Sequence, residues 1–548
     1  MASHFKWYPG SDDVTVPFNA RFSFPSQANK AIKMTPRINP KTGANYSPGQ
    51  QMRIELPAQG YMNGGNSCLE FDVTLSGWQN SSGEITRFQN NIQSLFSRVR
   101  ILYGSTPLED IINYNVIIRS LTEWTGTNQN GVTDQQSLGD GVGGFAIGAD
   151  RVAKAGLCNV RQTSIQGITS VANSTTYTAG ASFNAGGLGG AVPNSQSWLS
   201  GVNLVGTTCT RRYQVHLGTG LFTQEKLIPL KFMASSFAIE ITFAPAEECI
   251  FSLPGESTGK PPSYAIGNVN FLPEILEFDA SYDAVFLEGL RNGGIPILFA
   301  SWHTYIFNTA ASSNVNLLVQ ERSRSVKALF CVQRRSPIQM STDSHATFFD
   351  TASPDASGTT MQSYQYRIGG RYYPPSPVQL SDTMGGKVTN GGAEAYAELE
   401  KALNIVGDYR LSTSCNSGRW AMVPASTTFT AGGAGSVASY FHEYDYSTTQ
   451  TGFTAVGVPI RASVSSASIG ATGNVFAGTM PSSCYVSAIS LETSNGMEIS
   501  GLNAEEQSDI SFIGNWSGGQ APGFAFEVYS YYDSMIILRE NNVCILCC

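Results

Sequence analysis

Leu69-Glu70-Phe71-Asp72-Val73-Thr74-Leu75 carries an apolar residue at every odd position and a polar one at every even position. Successive side chains of a strand point to opposite faces, so this segment reads as a strand with one face buried and one wet. Phe237-Ala238-Ile239-Glu240-Ile241-Thr242-Phe243 repeats the pattern, as do Met52-Arg53-Ile54-Glu55-Leu56 and Phe524-Ala525-Phe526-Glu527-Val528. Val326-Lys327-Ala328-Leu329-Phe330-Cys331-Val332 is more apolar throughout, which predicts a more central strand. Short runs of this kind, separated by Gly, Pro, Asn and Ser turns, predict an all-β chain built of antiparallel sandwiches.

Two segments break the period. From Asp110 to Glu123, Ile111, Tyr114, Ile118 and Leu121 share one helical face, with Asp110 suited to the N-terminal end. Residues 393–406 put Tyr396, Leu399, Leu403 and Val406 on one face, bracketed by Gly391-Gly392 and Gly407. Each half of the chain therefore runs strands, a helix, a long polar excursion, then strands again. The first excursion covers about 124–210 and holds no charged residue between Arg161 and Arg211; the second covers about 408–480. Both carry large aromatics, such as Tyr177, Phe183, Trp198, Trp420, Phe429, Tyr440 and Phe476, which predicts elaborated loops packed on something. Proline-rich turns at Leu253-Pro254-Gly255 and Lys260-Pro261-Pro262 place the boundary between the halves. The expected division is an arm at 1–16, a first sandwich at 17–255, a second at 270–540, each of about eight strands, and a tail at 541–548.

Composition narrows the function. At 548 residues the chain is too long for one core, and 41% hydrophobic residues supply more than one. Charged residues are 14%, about half the usual share, as suits a surface covered by copies of itself. A net charge of −8 speaks against sequence-specific nucleic-acid binding. The most basic stretch, Arg322, Arg324, Lys327, Arg334 and Arg335, alternates with apolar residues; it reads as a polar sheet face or as inter-subunit ion pairs, with contact to an anionic lining as the other reading. With no signal peptide and no run of the ~18 apolar residues of a membrane span, the chain is expected to be made and kept in the cytosol. Cys68, Cys158, Cys209, Cys249, Cys331, Cys415 and Cys484 then read as reduced, buried thiols.

No chemistry-bearing constellation stands out. Gly255-Glu256-Ser257-Thr258-Gly259-Lys260-Pro261 is one residue short of a phosphate loop and has Pro261 where a magnesium-binding hydroxyl belongs. His4, His216, His303, His345 and His442 make no metal-ligand spacing with one another or with cysteine. The expectation is no catalytic residue, no metal, no cofactor, and no enzyme activity. The tail Cys544-Ile545-Leu546-Cys547-Cys548 is the one unusual cluster; Cys544, Cys547 and Cys548 read as thiols of no special role, as inter-subunit disulfides formed outside the cell, or as a lipid or metal site.

Several runs carry a family resemblance. Tyr213-Gln214-Val215-His216-Leu217 through Gly220-Leu221-Phe222, then Leu227-Ile228-Pro229-Leu230 and 237–243, resemble the closing strands of the first jelly roll in double jelly-roll major capsid proteins. Tyr366-Arg367-Ile368-Gly369-Gly370 with Tyr372-Tyr373-Pro374 resembles part of the second jelly roll in virophage and polinton-like virus capsid proteins. Leu491-Glu492, Ile499-Ser500-Gly501-Leu502-Asn503 and Tyr531-Tyr532-Asp533-Ser534-Met535-Ile536 resemble the last strands of that domain, so the likeness spans about 17–540. It implies two eight-stranded jelly rolls side by side, with short helices and long tower loops. It further implies a homotrimeric, pseudo-hexagonal capsomer that tiles an icosahedral shell around a DNA genome, in a virion assembled inside the host cell. The implied partners are the chain itself, neighbouring capsomers, a vertex penton protein and minor capsid proteins; a membrane inside the shell stays open.

The excursions supply the trimer-contact candidates: Phe183, Leu188, Val192, Trp198 and Leu204 in the first, Trp420, Phe429, Tyr440 and Phe476 in the second. Exposed on a monomer, so much apolar surface would exceed what soluble chains usually tolerate. The competing readings are a secreted or surface β-sandwich that binds carbohydrate, a lectin or adhesin, and then a glycoside hydrolase on a β scaffold.

Overall fold

The computed structural model describes residues 31–76, 86–88, 92–125, 208–233, 235–252, 263–310, 312–335, 361–379, 382–384, 387–389, 393–406, 486–492, 500–505, 509–516, 524–539 and 542–547. The strands of the first half are β1 (Ala31–Met34), β2 (Asn45–Tyr46), β3 (Gln51–Glu55), β4 (Tyr61–Ser76), β5 (Thr86–Phe88), β6 (Phe96–Tyr103), β7 (Thr106–Ile112), β8 (Thr208–Val215), β9 (Phe237–Phe243), β10 (Ile250–Ser252) and β11 (Ser263–Phe278). Those of the second are β12 (Ile295–Asn308), β13 (Asn314–Val319), β14 (Val326–Arg335), β15 (Met361–Ile368), β16 (Arg371–Gln379), β17 (Asp382–Met384), β18 (Lys387–Thr389), β19 (Val486–Ser490), β20 (Ile510–Trp516), β21 (Phe524–Arg539) and β22 (Asn542–Cys547). Four helices matter below: α1 (Tyr114–Thr125), the single turn α2 (Gly220–Thr223), α3 (Ala280–Arg291) and α4 (Ala393–Val406).

The strand pairing settles the architecture. In the first half one sheet runs β1-β11-β4-β8, with β2 also on β11, and the other runs β3-β9-β6-β7. In the second half the sheets run β12-β21-β14-β19 and β13-β20-β15-β16. Count β1 and β2 as one interrupted strand, set aside the ribbons β5/β10 and β17/β18 and the C-terminal strand β22, which pairs with β21 alone, and number the remaining eight strands of each half in chain order. Both halves then have sheets ordered 1-8-3-6 and 2-7-4-5, all antiparallel. That is the jelly-roll order, met twice in one chain. In both halves the helix and the long excursion fall between the fifth and sixth strands, after β7 and after β16. The fold expectation is met by this pairing alone.

The alternation of 69–75 is reproduced in full: Leu69, Phe71, Val73 and Leu75 are buried, and the even positions are half-buried. β4 lies between β11 and β8, so its apolar face looks across the sandwich while its polar face is only partly covered. Val326–Val332 lies in the interior of its sheet, between β21 and β19. Tyr364 and Tyr366 of β15 cross the second sandwich and donate to the carbonyls of Ala488 and Ser487 in β19, each at 2.9 Å. Tyr366→Phe should cost about 1 kcal/mol in urea unfolding, since it removes one buried hydrogen bond and keeps the ring. No loss of stability would mean that the hydroxyl contributes nothing there.

Three expectations are corrected. The first roll does not end at 255, nor does the second begin at 270: β11 pairs with β4 along its length and is the last strand of the first roll. The Pro-Gly and Pro-Pro segments precede that strand in sequence and lie outside the described residues, and the linker is α3. Asp279 caps it, accepting from the Ala280 N–H at 2.7 Å, and Gly293 and Gly294 leave it at φ 115° and 94°. Asp110 and Ile111 do not open a helix; they finish β7, and α1 begins after a left-handed turn at Asn113, φ 53°. The Arg98 guanidinium holds Asp110 in the sheet, and that partner decided the conformation over local helical spacing. The tail expected at 541–548 is in part a strand of the second roll, because 542–547 pairs back along 534–539 of β21. Residues 1–16 lie outside the described residues, whereas α4 spans 393–406 as read.

Candidate functional site

Phe183, Leu188, Val192, Trp198, Leu204, Trp420, Phe429, Tyr440, Phe476 and Cys548 lie outside the described residues. Cys544 and Cys547 sit in β22, their backbones paired with Ile537 and Ser534. Cys68, Cys249 and Cys331 are buried, and burial pushes the thiols of Cys249 and Cys331 up. Of the basic stretch, Arg324 pairs with Glu505 at 2.6 Å and Lys327 with Asp533 at 2.8 Å, so these charges are met within the chain. Among the described residues no group of three or more His, Cys, Asp or Glu side chains is placed to hold a metal ion.

The corresponding outward faces of the two rolls differ. On β3-β9-β6-β7 a row of register partners alternates in sign, Arg53, Glu240, Arg100, Asp110. Arg53 and Arg100 reach Glu240 at 2.9 and 3.1 Å, and Arg98 binds Asp110 through two nitrogens at 2.7 and 2.5 Å. The Asp110 carboxylate raises the Arg98 pKa. Glu240, a wet position by alternation, is 8% exposed under these arginines. The equivalent rows of the second roll read Asn316, Ile513, Gln365 and Leu318, Ser511, Arg367, Tyr372. Leu318 is 50% and Tyr372 47% exposed, so this face is the more apolar of the two.

The two rolls meet in a seam that the sequence reading missed. Glu109 of β7 is 3% exposed. Its Oε1 accepts from Ser301 Oγ of β12 at 2.6 Å and from the Gly220 N–H at 2.7 Å, and its Oε2 accepts from the Leu221 N–H at 3.1 Å. Burial pushes the Glu109 carboxyl up to about 7, with the three donors holding it back. Asn113, just past β7, donates to Glu527 of β21 at 2.9 Å, and Tyr529 also donates to that carboxylate. Thr304 Oγ1 donates to the Ile112 carbonyl at 2.7 Å. Each roll thus contributes a buried acid and a donor to the acid of the other.

Around these polar contacts the packing is dense. Trp302 lies 4.7 Å from Tyr531 and 5.6 Å from Phe330, ring to ring. On α3, Asp283 accepts from Tyr61 at 2.9 Å and pairs with Lys231, and Phe286 stacks on Phe232, fastening the linker to the first roll. On the Ser301 face of β12, His303 lies on Tyr532 at 4.0 Å and 3.2 Å from Glu321. Burial would raise the Glu321 carboxyl, but His303 and Ser323 bring it to about 2. The clue to Glu109 was its place two residues before Ile111: an acid on the face that alternation reserves for the core.

No family model and no curated protein matches this chain. Among solved structures it is similar to a chain in the structure of the Sputnik virophage, with 9% identity, a TM-score of 0.49, and 98% of this chain and 93% of that chain covered. It is similar to the Faustovirus major capsid protein, with 8% identity, a TM-score of 0.48, and 96% and 93% covered. It is also similar to the mavirus major capsid protein, with 10% identity, a TM-score of 0.43, and 98% and 93% covered.

Proposed function

We propose that this chain is the major capsid protein of a virus with a DNA genome, acting by self-association and not by catalysis. The observation that carries the reading is the repeated jelly-roll order within one chain, its two rolls joined through a buried polar seam. Two like rolls in one rigid subunit give a trimer six near-equivalent sandwiches, which is the pseudo-hexagonal outline needed to tile an icosahedral shell. Jelly rolls leave few open strand edges, so growth runs through chosen faces and not through uncontrolled edge pairing. Closed rotational symmetry then buries the remaining apolar surface. Its partners are copies of itself, neighbouring capsomers, and the vertex and minor proteins of the same particle.

The two excursions make the trimer contact in this reading, with Trp198, Phe183 and Leu188 of the first meeting their counterparts in two neighbours. Burial contributes roughly 25 cal/mol per Å² before association costs, so even a few hundred Å² per subunit counts. Sedimentation velocity of the purified chain should give a trimer, and electron micrographs should show particles of hexagonal outline. Replacing 163–208 by a short Gly-Ser linker should give a folded monomer with its strand content retained. Discrete monomers of the intact chain that bind oligosaccharide would support the carbohydrate-binding reading instead. A trimer of undiminished stability after the replacement would assign the contact to the sandwich walls.

A further inference from the structure

The seam holds a carboxyl group with no basic side chain among its described partners. Glu109 is met by one hydroxyl and two backbone N–H groups, from β12 of the second roll and α2 of the first. A carboxylate sealed from water in this way is well bonded but uncompensated in charge, and ionisation there favours the entry of water. The group bridges the two rolls, so any opening that hydrates it must part β7 and α2 from β12.

We propose that the Glu109 carboxyl is a protonation-dependent lock between the two rolls, closed when it carries its proton and loosened when it ionises. The other titratable groups on the packed elements are few. Tyr531 of β21 feels the Glu109 charge, and burial raises its phenol far above the physiological range. His303 of β12, two residues beyond Ser301, is engaged with Glu321. Asp110, next to Glu109 on β7, is paired with Arg98. Glu527 and Asp533 of β21 are held by Asn113 and Tyr529 and by Lys327 and Ser325 respectively.

The direction of the effect follows from burial. The folded chain holds the Glu109 proton up to about 7, against an ordinary value of 4.5. The stabilisation is therefore complete below the unfolded value and is lost as pH rises through the folded one. Hydrogen exchange of the β7, α2 and β12 peptides of the intact chain reads this, with labelling times corrected for the pH dependence of chemical exchange. Opening of these peptides should increase about tenfold between about pH 6 and pH 8.5. Glu109→Gln should remove that increase. Ser301→Ala takes away a donor that lowers the Glu109 value, so it should move the midpoint to higher pH. His303→Gln should leave the wild-type response in place. An unchanged pH response in Glu109→Gln would overturn the proposal, as would an unmoved midpoint in Ser301→Ala if the glutamine variant does not fold. A response lost in His303→Gln would overturn it in favour of the histidine.

Discussion

Gly220→Ala should destabilise the chain by roughly 3 kcal/mol, the upper part of the usual overpacking range. A Cβ at Gly220 would lie 1.8 Å from the Ala300 carbonyl oxygen and 3.0 Å from the Phe299 ring. The carbonyl belongs to β12, and Ala300 is paired with Asp533 of β21, so it cannot retreat without disturbing the sheet. The Gly220 N–H also donates to Glu109 at 2.7 Å, so pushing α2 away strips that carboxyl of two backbone donors. The damage should be confined to the seam: both rolls keep their strands, and hydrogen exchange rises first in β7, α2 and β12. Wild-type denaturation midpoints in Gly220→Ala would show that α2 and β12 do not approach as closely as described.

Asp533→Ala should cost about 3–5 kcal/mol, because it leaves a buried cation without its partner. Asp533 is 4% exposed. One oxygen lies 2.8 Å from Lys327 Nζ and the other accepts from Ser325 Oγ at 2.7 Å. Ser325 in turn accepts from the Gly501 N–H at 3.0 Å, so the network ties β14, β21 and the segment before β20 together. Lys327→Met should be costly as well, while Lys327→Met/Asp533→Leu should recover most of the loss, since a buried ion pair and a packed apolar pair are close in energy. The exposed Arg324–Glu505 pair gives the contrast: its side chains are 61% and 50% exposed, and Arg324→Ala should cost less than about 1 kcal/mol. Urea unfolding of the series separates the two cases. Equal costs for Asp533→Ala and Arg324→Ala would mean that water screens the Lys327–Asp533 pair.

How far the sequence could be read follows from the range of each signal. The strands at 69–75 and 237–243, the central strand at 326–332 and α4 at 393–406 were legible because their cause is local. A strand places alternate side chains on opposite faces and a helix repeats every 3.6 residues, so hydrophobic period alone selects the element. The duplicated order of strands, helix, excursion and strands was legible for the same reason, and with it the division into two rolls. Where the first roll stops was not. Prolines at 254, 261 and 262 read in sequence as turn signals, and such a signal before a strand looks like a linker until the partner of that strand is known.

Asp110 and Glu109 are adjacent and chemically alike, yet one lies half-buried under Arg98 while the other is sealed between the rolls. Alternation puts Glu109 on the core face, but nothing local says what meets it there. The groups that complete the seam are remote: Ser301 lies 192 residues from Glu109, and Glu527 lies 414 from Asn113. The amino-acid order by itself determined which segments are strands and that they come as two like sets. The tertiary structure alone decided which acids are buried, where α2 meets β12 and how one roll is held against the other, because those outcomes depend on partners that only the folded chain brings within hydrogen-bonding distance.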